Sequence, residues 1–251
     1  MRYLFNHWRQ ISSRLRDVPT IALFLDFDGT LALLQPRPEQ VSLDGSVRQE
    51  LSALARSPRF RIWVVSGRRQ ADVRARVRVP GIRYLGLHGW EGRGGSVTEE
   101  TRLGLRALES RLKASLADLP GLWIEDKEYA FAVHYREACA LNVVRARAIL
   151  AGIFGICTDR FRIEHGKNVW EVLPRELGDK GAAVRQQLAG LRGRYGAVYV
   201  GDDRVDEPAF AALRAGITVR VGHRGPSRAR YRLGGVAEVR RFLHQLRVEF
   251  A

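Results

Sequence analysis

Residues 21–28 (IALFLDFD) form a continuous apolar run that ends in acid just before Gly29, the pattern of a buried parallel strand whose C-terminal end opens into a loop. The same form returns in residues 60–66 (FRIWVVS) before Gly67, 82–87 (IRYLGL) before His88, 196–200 (GAVYV) before Gly201-Asp202-Asp203, and 217–221 (ITVRV) before Gly222. Helical periodicity fills stretches between them, at 46–56, 70–78, 180–191 and 207–215. Strands alternating with helices predict an α/β fold, a doubly wound parallel sheet. Polar residues gather where the strands end, which is where such sheets place their active sites.

The long interval between Ser66 and Lys180 breaks this rhythm. Its middle reads as an amphipathic helix over 103–119, a hairpin over 122–135 turning near Lys127-Glu128, a helix over 140–154, and two short strands in 161–173 around Gly166-Lys167-Asn168. This is an inserted α+β module, expected over 99–174, entered through the glycine-rich residues 92–95 and left near Pro174, with 1–98 and 175–251 forming the parent domain. At the start of the chain Leu4, Trp8, Ile11 and Leu15 fall at helical spacing beside Arg2, Arg9, Arg14 and Arg16, which imitates a targeting segment but is read as a helix packed on the core.

Composition adds one unusual feature. The 251 residues carry a formal net charge of +15 from 42 Lys+Arg against 27 Asp+Glu, and only four of the basic residues, Lys113, Lys127, Lys167 and Lys180, are lysine. Such a charge favours an anionic partner: nucleic acid, an acidic membrane surface or a phosphorylated substrate. The arginines run through every segment, with no basic stripe interleaved with aromatics, so a nucleic-acid partner is not expected. No apolar run is long enough to span a membrane and no secretory signal follows the start. Cys139 and Cys157 make no disulfide framework, CxxC pair or zinc site and are read as free thiols. The expectation is a cytoplasmic, monomeric protein with no membrane partner.

The strongest chemistry lies in Asp26-Phe27-Asp28-Gly29-Thr30. In extended backbone, residues i and i+2 point the same way, so Asp26 and Asp28 project together and repel unless a cation or a shared proton intervenes. Asp202, Asp203 and Asp206 at another strand end supply further oxygen ligands. A carboxylate set without a His or Cys cluster suits Mg²⁺. With a metal beside it Asp26 stays ionised and fits a nucleophile, and Asp28 kept protonated fits a general acid. Phosphoryl transfer needs fixed donors around its equatorial oxygens, for which Ser66 at a strand end and Lys180 at a helix start are the candidates.

DFDGT, then a strand ending in Ser, then Lys, then GDDxxD resembles the haloacid dehalogenase (HAD) superfamily of phosphatases, and the insertion falls where that superfamily carries its C2-type cap. Further segments, LDFDGTL at 25–31, VSGR at 65–68, GLHGWE at 86–91, YAFAVHYR at 129–136, GKNVWEVLP at 166–174, DKG at 179–181 and GDDRVDEPAF at 201–210, resemble the trehalose-6-phosphate phosphatase family over roughly residues 20–240. The resemblance implies a HAD-like Rossmannoid core with a C2-type cap and a phosphoric monoester hydrolase acting on a sugar phosphate. It implies that Asp26 attacks phosphorus, that Asp28 protonates the leaving oxygen and then activates water, and that Ser66 and Lys180 hold the phosphoryl oxygens. It assigns Mg²⁺ to Asp26, the Asp28 carbonyl and Asp202, with Asp203 and Asp206 in support. Glu125, Lys127 and Glu171 stand where the family's cap meets the disaccharide, and Arg68, His88, Arg136 and Asn168 are further candidates for polar contact with substrate.

Two positions depart from the family pattern. Trp90 replaces a usually small residue in HGxE, in a place to narrow the pocket or stack on a sugar, and Val205 replaces the usual Thr of GDDxTDE without removing a carboxylate. Trehalose 6-phosphate is the substrate the motifs favour. The alternatives are another glycoside phosphate (sucrose, glucosylglycerol or a pseudo-disaccharide phosphate), a nucleic-acid end-processing protein, and a catalytically silent sensor, which would have no need of both a nucleophile and an acid.

Overall fold

The computed structural model describes all residues except 92–96, 156–158 and 223–224. The glycine-rich entry to the inserted module and Cys157 therefore lie outside the described residues. The chain divides into two compact units, Met1–Arg93 with Gly178–Ala251, and Gly94–Leu177.

In chain order the larger unit begins with β1 (Arg2–Tyr3), α1 (Trp8–Arg16), β2 (Thr20–Leu25), α2 (Gly45–Arg56), β3 (Phe60–Val65), α3 (Gln70–Val77) and β4 (Arg83–Leu85). The smaller unit contributes α4 (Glu99–Leu116), β5 (Trp123–Asp126), β6 (Phe131–His134), α5 (Ala140–Phe154), β7 (Phe161–Gly166) and β8 (Val169–Pro174). The larger unit then resumes with α6 (Lys180–Ala189), β9 (Tyr195–Gly201), α7 (Glu207–Ala212), β10 (Ile217–Val221), β11 (Tyr231–Leu233) and α8 (Val236–Phe250).

The larger unit is a seven-stranded sheet in the order β1-β11-β10-β9-β2-β3-β4, with every neighbouring pair parallel. β2 (TIALFL) lies inside the sheet between β9 and β3, and side-chain alternation sends its residues to both faces. Ile21, Leu23 and Leu25 join a core with Ile11 and Leu15 of α1, Leu51 of α2, Val73 of α3 and Phe242 of α8. Ala22 and Phe24 join a second core with Trp63 of β3, Val184 of α6 and Phe210 of α7. The doubly wound α/β expectation holds. The chain runs outward from β2 in one direction through β3 and β4, and in the other through β9, β10 and β11, so a topological switch point falls at β2 and β9, where open parallel sheets bind ligands.

The smaller unit is an antiparallel sheet in the order β5-β6-β8-β7. Its alternation is stricter. Phe131, Val133, Trp170 and Val172 face a core with Leu108 and Leu112 of α4 and Leu150 of α5, so both of the unit's helices cover one face of the sheet. The register puts Trp123, Glu125, Ala132, His134, Glu164 and Glu171 on the other face.

Candidate active site

The C-terminal ends of β2, β3 and β9 deliver the principal side chains. Asp26 follows β2, and its backbone N–H donates to the Val200 carbonyl of β9 at 2.9 Å. The next turn is closed by the Phe27 carbonyl, which accepts from Leu31 N–H at 2.9 Å and Ala32 N–H at 3.0 Å. Gly29 turns there at φ +81°, and a Cβ on it would come within 2.6 Å of Asp202 Cγ, so only glycine lets the two strand ends approach. Ser66 is fully buried after β3, with its Oγ accepting from Arg68 N–H at 3.1 Å.

Lys180 opens α6, whose N-cap Asp179 accepts from Ala182 N–H at 2.7 Å. Its Nζ donates to Asp26 Oδ1 and to Asp206 Oδ1, both at 2.7 Å. Asp206 also accepts from Tyr199 OH at 2.8 Å on the same oxygen and from Asp203 N–H at 2.9 Å on the other. Asp26, Asp202 and Asp206 are all buried, and each presents a carboxylate oxygen within 4.8 Å of the others. Burial pushes the Asp26 carboxyl well above the usual range, partly offset by Lys180, while Asp206 and Asp202 push it further up. Burial works against the charge of Lys180, but Asp206 and Asp26 outweigh it and hold the amine well above its ordinary value. Burial also opposes the charge of Asp206, yet Lys180 and the hydrogen bonds hold it below.

Three buried carboxyl groups share this spot with one ammonium. An all-oxygen donor set fits a hard divalent cation of the Mg²⁺ class rather than zinc.

The remaining predicted residues separate by location. Asp28 is held by Arg68 through both oxygens, with Nε at 2.8 Å and Nη2 at 2.7 Å, and the same guanidinium donates to Asp72 at 2.9 Å and the Pro38 carbonyl at 3.0 Å. Asp203 is outside the buried carboxylate cluster among the described residues; its carboxylate accepts from Arg204 N–H at 2.7 Å and caps a 3₁₀ turn. His88 is buried in a left-handed conformation (φ 58°) with its N–H on the Ser66 carbonyl at 2.9 Å, so its backbone shapes the serine loop. Trp90 is buried beside it, with 9% of its surface exposed, and Val205 is half-buried in the 3₁₀ turn.

In the smaller unit Lys127 pairs with Glu171, both buried. Glu125 accepts from His134 Nε2 at 2.8 Å. Arg136 is half-buried past the end of β6. Asn168 is exposed in the β7–β8 turn at φ 60°, a conformation Asn tolerates, and its carbonyl accepts from Tyr135 N–H at 3.0 Å.

The sequence matches the family profile described as trehalose-phosphatase over residues 24–235. The chain belongs to the trehalose-phosphatase family. The Escherichia coli protein named trehalose-6-phosphate phosphatase is 32% identical over 235 residues, covering 90% of this chain and 86% of that one. A Mycobacterium tuberculosis protein described as an uncharacterized glycosyl hydrolase is 35% identical, covering 94% of this chain and 19% of its own. The chain spans about half or less of the length of the first mycobacterial relatives it matches. The Candida albicans trehalose-6-phosphate phosphatase C-terminal domain superposes with a TM-score of 0.82 over 96% of both chains at 20% identity, a likeness of fold. The resemblance drawn from the motifs is thus borne out at the level of family and fold.

Three residues that hold these side chains and turns in place went unpredicted. Tyr199 reads as one more apolar strand position, although a tyrosine just before GDD has to place its hydroxyl somewhere. Glu91 accepts from Gln70 N–H and from Arg69 Nε and so ties the HGWE turn to the start of α3. His134 is legible only from strand register, two positions beyond Ala132 on the face that carries Glu125.

Proposed function

We propose that this chain is a Mg²⁺-dependent phosphatase that hydrolyses trehalose 6-phosphate to trehalose and phosphate. The observation that carries the reading is the buried set of Asp26, Asp202, Asp206 and Lys180 at the switch point of a parallel sheet, in a member of the trehalose-phosphatase family.

Asp26 Oδ attacks phosphorus, the bond to the sugar oxygen breaks, and Asp28 gives that oxygen its proton. Asp28 then takes a proton from the water that attacks the aspartyl phosphate, which returns Asp26 as carboxylate and releases phosphate. For this Asp28 turns one oxygen out of the Arg68 fork and takes up a proton from solvent before the sugar phosphate binds, and that proton goes to the leaving oxygen. Lys180 keeps Asp26 aimed and faces the transferring oxygens with positive charge, and Ser66 offers a hydroxyl from the next strand. Asp26, Asp202 and the Asp28 carbonyl would hold Mg²⁺, which neutralises phosphoryl charge when bound. Asp206 and Asp203 support this set, Asp206 by anchoring Lys180. On the smaller unit Glu125, Lys127 and Glu171 take the sugar hydroxyls, with Arg136 in an orienting role; on the larger unit Arg68 and His88 act by holding Asp28 and the Ser66 loop.

Phosphate release from trehalose 6-phosphate, sucrose 6-phosphate and simple hexose phosphates tests the reading. The expected result is the highest kcat/KM on trehalose 6-phosphate and none without divalent metal. Sucrose 6-phosphate outrunning it would overturn the substrate assignment.

A further inference from the structure

Trp123 and His134 are directly opposed on β5 and β6, and their rings stack at 3.9 Å between centroids with 10° between planes. The stack fixes the plane of the imidazole. Its Nε2 then lies 2.8 Å from Glu125 Oε2, on the sheet face that neither α4 nor α5 covers. Glu125 follows Trp123 by two residues, so strand alternation places Trp123, Glu125 and His134 together.

Burial pushes the Glu125 carboxyl up, but the His134 hydrogen bond and the charges of Lys127 and His134 bring it below its ordinary value, so the group is an ionised acceptor. Among the described residues no donor is assigned to its other oxygen, Oε1. The side chain keeps 28% of its surface exposed against 15% for His134. One oxygen is therefore anchored to a clamped ring on a side chain that stays partly exposed, the arrangement a sugar-binding carboxylate needs if its rotamers are to be fixed before the ligand arrives.

We infer that His134 is a positioning residue for substrate specificity: stacked on Trp123, it orients Glu125 so that the other oxygen accepts a hydroxyl of the sugar. This rests on the functional reading above. His134 is given no role toward the phosphoryl group, and it lies on the face of the sheet away from the unit's hydrophobic core, so its loss leaves core packing in place.

The test measures steady-state kinetics of the wild type, His134→Ala, His134→Gln, Glu125→Gln and the double variant His134→Ala/Glu125→Gln, each on trehalose 6-phosphate and on p-nitrophenyl phosphate, which has no sugar. His134→Ala should raise KM for trehalose 6-phosphate by about tenfold or more, the scale of a lost hydrogen bond to a charged group. It should leave kcat and the p-nitrophenyl phosphate kinetics unchanged. His134→Gln, whose amide nitrogen reaches the Nε2 position, should recover most of the loss. The double variant should be no worse than Glu125→Gln, because His134 acts through that carboxylate. An unchanged KM in His134→Ala, additive losses in the double variant, or equal losses on both substrates would overturn the inference while the functional reading stands. A wild-type chain that turns over p-nitrophenyl phosphate but not trehalose 6-phosphate would overturn that reading and the inference with it.

Discussion

Arg68 grips both carboxylate oxygens of Asp28, Nε to Oδ2 at 2.8 Å and Nη2 to Oδ1 at 2.7 Å, from a side chain only 8% exposed. Arg68 is a candidate for substrate contact by motif, yet its donors meet Asp28, Asp72 and the Pro38 carbonyl. Its effect on catalysis then runs through proton delivery to the leaving group. Arg68→Ala should lower kcat/KM for a sugar phosphate by about tenfold or more but change that for p-nitrophenyl phosphate by less than about threefold, because a phenolate leaves without general acid help. Equal losses on both substrates would return Arg68 to the phosphoryl group.

Lys180 is the buried counter-charge for Asp26 and Asp206. Lys180→Met leaves those carboxylates uncompensated. A loss of about 3–5 kcal/mol in urea unfolding at neutral pH is expected, the scale for removing one partner of a buried ion pair. Adding Asp206→Asn to the same chain should return part of the stability while phosphate release stays absent. Stability unchanged by Lys180→Met would show that the pair is not formed.

Gly29 and Gly193 give a matched comparison. Both turn at positive φ, +81° and +78°, but a Cβ on Gly29 runs into the Asp202 carboxylate while one on Gly193 meets nothing within 4 Å. Each Gly→Ala change should cost about 1–2 kcal/mol for the backbone conformation. Only Gly29→Ala should also abolish turnover. Activity retained in Gly29→Ala would mean that Asp202 is not needed where it stands.

Metal binding should appear as stabilisation of the folded chain. Mg²⁺ should raise the thermal unfolding midpoint progressively with concentration in the wild type, by mass action on the native state, and chelator should reverse it. In Asp202→Asn the midpoint should hardly respond. A response identical in the two proteins would place the metal elsewhere.

Much of this arrangement is legible in the sequence because it depends on strand ends. The buried parallel strands announce themselves as apolar runs, and Asp26, Ser66 and Asp202 stand at their termini, so local pattern also locates the site. The hairpin of β5 and β6 likewise follows from alternation and a turn at Lys127-Glu128. Other features lack a local signal. β1 (Arg2–Tyr3) and β11 (Tyr231–Leu233) are too short to form without the sheet edge they extend. α8 (Val236–Phe250), by contrast, does carry a local signal, with Val239, Phe242, Leu243 and Leu246 at helical spacing, and closes the core against α2. The partners of Arg68 and His134 are distant or cross-strand, set by register and loop path rather than by neighbours in the chain. Asn168 and His88 sit at positive φ, where turn geometry accounts for their side-chain types without a ligand.

The central claim is that Asp26 becomes phosphorylated during turnover of trehalose 6-phosphate. Rapid acid quench of the reacting protein followed by peptide mass spectrometry tests it directly. A phosphoryl adduct is expected on Asp26 of the wild type, with no adduct and no phosphate release in a folded, Mg²⁺-binding Asp26→Asn protein. Phosphate release by that variant near the wild-type rate, or an adduct on another residue, would contradict the account.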